Sequence, residues 1–394
     1  MTVSYNSAVS SVSSFSVFRL LLHWRGSIWK SILGELLLWT ICYYIVFAVY
    51  RFALNAPAQR NFEEIVHICN ERLAFIPLTF MLGFFVSMII NRWRDTFDNM
   101  GWIENLALTL TQLLEGDGKE NRMMRRTIIR YTVLTQILVF RDISLRVRRR
   151  FPTMESLVEA GFMTKAELKE LSKISLAYNR YWTPLYWALG ISFKALEKNY
   201  FETPWARICV QNEIQTFRTN MALLCNFDWV PIPISYPQVV FLAVRSYFVI
   251  CLVSRQFLIC DKLEDYDEIQ LYIPFMTMLE FTFLVGWMKV AEGLLNPLGE
   301  DDDDFECNFV IDKNIATGLC IVDDEYRACP ELKPDCFTDP EYKPIYTEYS
   351  HVDGGKLAGS AEDHRFEAHN GKATSGSTRR RVASKSEEQR RDKI

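Results

Sequence analysis

The sequence predicts an all-α, multi-pass membrane protein with four transmembrane spans per subunit and a helical cytosolic domain, and three observations carry that expectation. First, the apolar residues of the 394-residue chain concentrate in four long runs, and the rest of the chain is strongly charged. Second, one of those runs, Leu73 to Ile90 (LAFIPLTFMLGFFVSMII), extends for eighteen residues without an ionisable side chain, long enough to cross a bilayer as a helix. Third, the stretch Asn91 to Trp229 is too polar for lipid, yet its apolar residues fall at helical spacing, as in Ile103, Leu106, Leu110 and Leu113. The overall hydrophobic content of 49% is ordinary for a soluble protein, so distribution decides the class, not the mean.

In chain order, residues 1–30 read as a cytosolic N-terminal segment. Its Ser-rich start lacks the basic region of a signal peptide, and the apolar patch at Leu20 to Leu22 is too short for one. Residues 31–90 hold spans 1 and 2. The first covers Ser31 to Tyr50, with Arg19, His23, Arg25 and Lys30 before it and Glu35 near its start; the second is the helix 73–90. The connection Arg51 to Arg72 is balanced in charge. From Asn91 to Arg150 twelve Lys or Arg stand against seven Asp or Glu, including Arg146, Arg148, Arg149 and Arg150, which makes this side cytoplasmic by the positive-inside rule.

Residues 91–230 form the helical cytosolic domain. Thr164 and Glu167 make a T-x-x-E capping box just after Gly161, and Pro152 and Pro204 punctuate other helices. The aromatic stretch Tyr181 to Phe193 is thirteen residues long and interrupted by Pro184, so it reads as a buried core helix, not a span. Residues 231–295 hold spans 3 and 4, Val239 to Ile259 and Leu271 to Leu295, around an acidic loop from Asp261 to Glu268 that suits the outer side. Both termini are then cytosolic. Pro77 and Pro274 predict local breaks inside spans. Arg245 and Glu280 lie within spans 3 and 4, where each needs a partner or water; pairing with one another and placement in a wet crevice are both open. Residues 296–345 are a C-terminal cytosolic segment. Residues 346–394 are rich in Gly, Ser and charge and read as a disordered regulatory tail, in which Ser384, three residues after Arg381, suits a basophilic kinase. The ten cysteines lack paired spacing and read mostly as reduced thiols; Cys307, Cys320, Cys329 and Cys336 have no CxxC spacing and no nearby His before His351, which argues against zinc.

Two patterns bear on function. Ile76, Phe80 and Phe84 recur at i, i+4 and i+8 as a bulky stripe, beside a stripe of small residues, Thr79, Gly83 and Ser87, of the kind that lets helices approach closely in lipid. Several copies around an axis would turn the bulky stripe toward a narrow pore, although periodicity equally describes a lipid-facing or core-packed face. After span 4, Asn296-Pro297 should stop the helix, and Asp301 to Asp304 follow at its C-terminal, negative end. Carboxylates there repel unless a cation joins them, and calcium accepts the mixture of carbonyl and carboxylate oxygens that this turn offers. Phe305 and Glu306 stand where an EF-hand needs a ligand and a glycine, so the turn is not an EF-hand. A solvated acidic run is the ordinary alternative.

Several local signals coincide with one family. MTVSYNS at the start, LLHWRGSIWK (Leu21 to Lys30), IPLTFMLGF (Ile76 to Phe84), RRFP (Arg149 to Pro152), AGFMT (Ala160 to Thr164) and NPLGEDDDDFE (Asn296 to Glu306) resemble the bestrophins over residues 1 to about 345. The resemblance implies a homopentameric, calcium-activated chloride channel in the cell membrane, passing chloride and other small monovalent anions. It makes Ile76, Phe80 and Phe84 the hydrophobic neck. It makes Asp301 and Asp304 side-chain ligands of calcium, with backbone oxygens from Ser10, Gly293 and Asn296. Gly293 stands where relatives often carry glutamine, which a backbone ligand tolerates. Trp205 falls where the family narrows the cytosolic aperture, usually with another kind of residue, and would make it bulky.

The expected function is therefore an anion channel whose apolar neck gates by dewetting and opens when calcium binds the acidic turn. A secondary anion transporter predicts internal repeats, and none is visible. A calcium-sensing membrane scaffold is the other alternative. An enzyme is not expected, for lack of a P-loop, HExxH or GxSxG, and neither is a nucleic-acid partner.

Overall fold

The computed structural model describes residues 5, 14–258, 273–343 and 345. Their regular structure is helical: α1 (Ser14–Leu21), α2 (Ile28–Ala48), α3 (Ala56–Leu73), α4 (Leu78–Asp98), α5 (Glu104–Leu113), α6 (Lys119–Ile143), α7 (Leu145–Arg150), α8 (Met154–Glu159), α9 (Lys165–Lys173), α10 (Thr183–Glu197), α11 (Pro204–Trp229), α12 (Ser235–Ser254), α13 (Phe275–Leu294) and α14 (Cys307–Leu319). Residues Met1–Cys329 make one compact unit. In the other, Pro330–Ile394, the described part holds a single 3-10 turn, Cys336–Thr338, capped by the Asp335 side chain.

Several boundaries follow from single residues. Asn55 caps α3 by accepting the Ala58 N–H, and Pro57 sits in the first turn, where its missing donor is no loss. Thr164 and Glu167 form both halves of the expected capping box at the start of α9. Thr203 caps α11. The aromatic stretch is helix α10, opened by Pro184 and packed against α6 and α11, as a core helix should be.

Elsewhere the structure differs from the sequence expectation. The second apolar run is not one helix from Leu73. Helix α3 ends there, and α4 starts at Leu78 with its axis turned by 46°. Pro77 is the cause, because it disfavours helical conformation at Ile76 and donates no hydrogen bond. The charge-balanced connection Arg51 to Arg72 is largely α3, an amphipathic helix that buries Val66 and Leu73. The first span runs on through a π-helical turn, Val49–Ala53. Among the described residues two helices, Ile28–Ala53 and Ser235–Ser254, are long and apolar enough to cross a membrane, or three if the bent pair α3–α4 is one span. Helix α13 is not among them; it carries Glu280, Lys289 and Glu292 within its 20 residues. The acidic loop Asp261 to Glu268 lies outside the described residues.

Two hydrophobic cores result. One gathers α2, α4, α12 and α13 around Trp39, Tyr43, Leu82, Phe85, Val244 and Phe281. The other gathers α5 to α11 and α14 around α6, which is buried on every side from Tyr131 to Arg141. The largest polar side chains of that stretch are bonded, Gln136 donating to the Met100 and Gly101 carbonyls and Arg141 to those of Phe151 and Pro152, whereas the buried Thr135 hydroxyl has no partner among the described residues. Helix α4 belongs to both cores. Leu82, Phe85 and Ile89 pack in the first, and Trp93, four residues beyond Ile89, packs against the second.

Candidate functional site: the acidic turn and helix α4

The turn between α13 and α14 is tightly bonded. The Gly299 N–H donates to the Asn296 carbonyl at 3.2 Å, the Asp304 N–H to the Asp301 carbonyl at 3.2 Å, and the Phe305 N–H to the Pro297 carbonyl at 2.8 Å. The Asp304 side chain folds back and accepts the Asp301 N–H at 2.6 Å. A Cβ on Gly299 would meet Asp304 Oδ2 at 2.8 Å and the Asn296 carbonyl at 3.3 Å, so close approach requires glycine at this point. Asn296, Gly299, Asp301 and Asp304 thus converge.

Asp304 is buried, whereas Asp301 is exposed. Burial, reinforced by the neighbouring Asp301 and Asp303 charges, raises the Asp304 carboxyl above its ordinary range despite the Asp301 N–H. Asp302 points elsewhere and pairs with Lys30 at 2.7 Å. Arg146 pairs with Glu306 and donates to the Asp301 carbonyl at 3.3 Å. A cleft of about 440 Å³ beside the turn is lined by Gly293, Asp301, Asp302 and Asp303, with Lys30 opposite. Among the described residues no three His, Cys, Asp or Glu side chains form a metal-binding group, so a cation here needs carbonyl oxygens as well. Cys307 is buried, and Cys320, Cys329 and Cys336 are exposed and free. Ser10 and Ser384 lie outside the described residues.

Phe305, buried directly after Asp304, stacks against α4. Its ring lies 5.0 Å from Trp93 and 5.4 Å from Phe97, centroid to centroid. Two turns or more up the same helix, Phe84 and Phe80 stand 60% and 65% exposed, edge to face with centroids 4.7 Å apart. Ile76 is partly buried in the break before α4, so the expected three-residue helical stripe is a pair on the helix plus one residue off it. In the small-residue stripe, Gly83 faces Trp287 of α13, and Thr79 and Ser87 are exposed. Trp205 is 69% exposed in the first turn of α11.

The charges within the apolar bundle pair differently from the Arg245–Glu280 option. Glu35 of α2 accepts from Arg245 at 3.0 Å and lies 2.9 Å from Lys289, while Glu280 accepts from the Tyr247 hydroxyl. Sequence reasoning noticed Glu35 but gave it no partner. It also passed over Trp93 and Phe97, whose i, i+4 aromatic spacing just beyond the apolar run was the available signal.

Fold and site together define a helical membrane protein whose acidic turn is packed onto a helix descending from its apolar bundle. The family model described as "Bestrophin, RFP-TM, chloride channel" matches residues 1–324. The chain belongs to the bestrophin family, a family of channels and not of enzymes. It is 48% identical over 364 residues to Bestrophin homolog 24 of Caenorhabditis elegans, covering 92% of this chain and 58% of that protein. It is 51% identical over 362 residues to Bestrophin homolog 17 of the same organism, covering 92% and 75%. The fold is similar to that of a point mutant of a bacterial bestrophin homolog from Klebsiella pneumoniae, at TM-score 0.57 and 16% identity, over 74% of this chain and 99% of that one.

Proposed function

We propose that the chain is a calcium-activated anion channel of the cell membrane, assembled as a homopentamer with four spans per subunit and both termini cytosolic, and gated at an apolar neck. One observation carries the gating mechanism: Phe305 joins the acidic turn to Trp93 and Phe97, on the same helix that exposes Phe80 and Phe84. Rigid helices transmit small displacements because packed cores do not deform continuously.

The donor chemistry of the turn fits calcium. All its candidate donors are oxygens, and the Asp304 carboxylate has one N–H donor in the turn and lone pairs left over. Asp301 and Asp304 would hold the ion through side chains, and Gly293, Asn296 and Ser10 through carbonyls. Bound calcium supplies the positive charge that lets adjacent carboxylates sit together. Asp304 holds the turn by accepting the Asp301 N–H, and Phe305 packs the lower end of α4 against it.

Symmetry-related copies of α4 and of the break before it bring Phe80, Phe84 and Ile76 to the axis as an apolar constriction, which is closed while it excludes water. Selection falls to basic surface and helix N-termini along the cytosolic path, with Trp205 narrowing the exit. Purified protein in planar bilayers should give unitary currents that require calcium and reverse near the chloride potential. Silence in the presence of calcium, or current carried by cations, would refute the proposal.

A further inference from the structure

The segment leading into α2 has an apolar surface that the gating mechanism does not use. Val17, Phe18, Leu21, Leu22 and Trp24 are between 52% and 81% exposed. On α1, Val17, Phe18 and Leu21 share one face (i, i+1, i+4) and Arg19 projects from the other. Arg19, His23 and Arg25 are exposed as well, and no Asp or Glu precedes Glu35 in the chain. The geometry is fixed, since Trp29 Nε1 donates to the Leu21 carbonyl at 2.7 Å and the Ser27 N–H to that of Trp24 at 3.2 Å. Gly26, at φ +67°, makes the turn between them, so α1 does not run on as α2.

Immediately beyond, α2 exposes Leu33, Leu37, Leu38, Ile41 and Ile45, the outer face of the first span. The apolar patch of 17–24 is continuous along the chain with the exposed face of a helix long and apolar enough to cross a membrane. The segment itself holds no acidic residue; Asp302, which accepts a hydrogen bond from the Gly26 backbone, is the carboxylate that acts on Arg25 from outside it, and cations flanking a span complement anionic headgroups.

We propose that residues 17–25 form an interfacial lipid-binding surface, with Val17, Phe18, Leu21, Leu22 and Trp24 sunk at the level of the upper acyl chains and Arg19, His23 and Arg25 facing anionic phospholipid. Lipid is the occupant, not a second copy of the chain, because one apolar solvent covers both the patch and the adjoining face of α2 and leaves the cations at the headgroup level. The proposal rests on membrane insertion and is independent of anion conduction.

The test uses the full chain in nanodiscs that contain brominated phosphatidylserine or brominated phosphatidylcholine at equal mole fraction. Fluorescence of the parent minus that of Trp24→Phe isolates Trp24. Quenching of Trp24 should be stronger with the serine lipid, and the pair Arg19→Gln and Arg25→Gln should lower that enrichment by about fivefold for each arginine removed. Because those two variants touch only exposed side chains, assembly checked by gel filtration should be unchanged. Absence of Trp24 quenching by either lipid would overturn the proposal. Equal quenching by both lipids would overturn its anionic component. A cross-link formed between copies through Trp24→Cys would assign the surface to a neighbouring subunit and overturn it too.

Discussion

Replacing Asp304 by Asn separates a structural acidic turn from an ion-binding one. The substitution keeps shape and an acceptor for the Asp301 N–H, which lies 2.6 Å from Oδ2, but removes a buried charge that Asp301 and Asp303 repel. Loss of the charge-assisted character of that bond costs about 1 kcal/mol, and relief of an uncompensated buried charge returns about 1–3 kcal/mol. Without calcium the variant should therefore be as stable as the parent or up to about 2 kcal/mol more stable. With calcium the order reverses. At a concentration about 100 times the parent's Kd, binding adds about 2.7 kcal/mol to the parent. A variant with about hundredfold weaker binding keeps roughly 0.4 kcal/mol of that. The difference is about 2.3 kcal/mol, or about 5 °C in Tm for a fold of this size. Differential scanning fluorimetry of detergent-purified protein, in chelator and in calcium, reads both halves. An equal calcium shift in the two proteins, or a variant several degrees less stable in chelator, would refute the reasoning and return Asp304 to a purely structural role.

Truncating Ile76, Phe80 and Phe84 together to Ala should give current without calcium while reversal potentials in asymmetric salt still favour chloride; loss of that preference would make the neck the filter. Phe305→Leu, which removes the ring from Trp93 and Phe97 at a cost of about 1.5 kcal/mol, should leave calcium-induced thermal stabilisation in place but flatten the calcium dependence of opening. Trp205→Ala should raise unitary conductance with stability changed by less than about 0.5 kcal/mol, since the side chain is 69% exposed. Glu167 accepts from Arg130, Tyr131 and the Thr164 N–H at 2.7 Å each, and although burial opposes ionisation those bonds hold its carboxyl at about 2. Its contribution is full above its ordinary value of 4.5 and is lost as pH falls toward about 2, so Glu167→Gln should lower Tm at neutral pH and flatten its decline through that acid window.

Local chemistry was legible wherever neighbours in sequence decide the outcome. The capping box at Thr164, the core helix opened by Pro184 and the turn after Asn296-Pro297 all follow from residues within a few positions of each other. Partner choice across the fold was not. Arg245 and Glu35 are 210 residues apart, and nothing in either helix's periodicity selects Glu35 over Glu280. The break at Pro77 was anticipated, but Ile76 was still counted in register with Phe80 and Phe84, because a period of four assumes the continuity that the proline removes. The polar helix α3 escaped notice because a search for apolar runs is blind to it.

Neither hydrophobic core is contiguous along the chain, and this bears on biogenesis. The apolar bundle needs α2 and α4 together with α12 and α13, and the α6-centred core is completed only by α14, where Lys313 reaches back to Glu104 and Asn314 to Gly101 and Gln136. A ribosome that has finished α11 has therefore released most of the water-side helices without their closing element, and the early spans without half their neighbours. Until α14 is made, the apolar faces of α5 and α6 that it covers stay open. A premature stop before Cys307 keeps the acidic turn but removes α14, and the truncated protein should be degraded for want of a closed core.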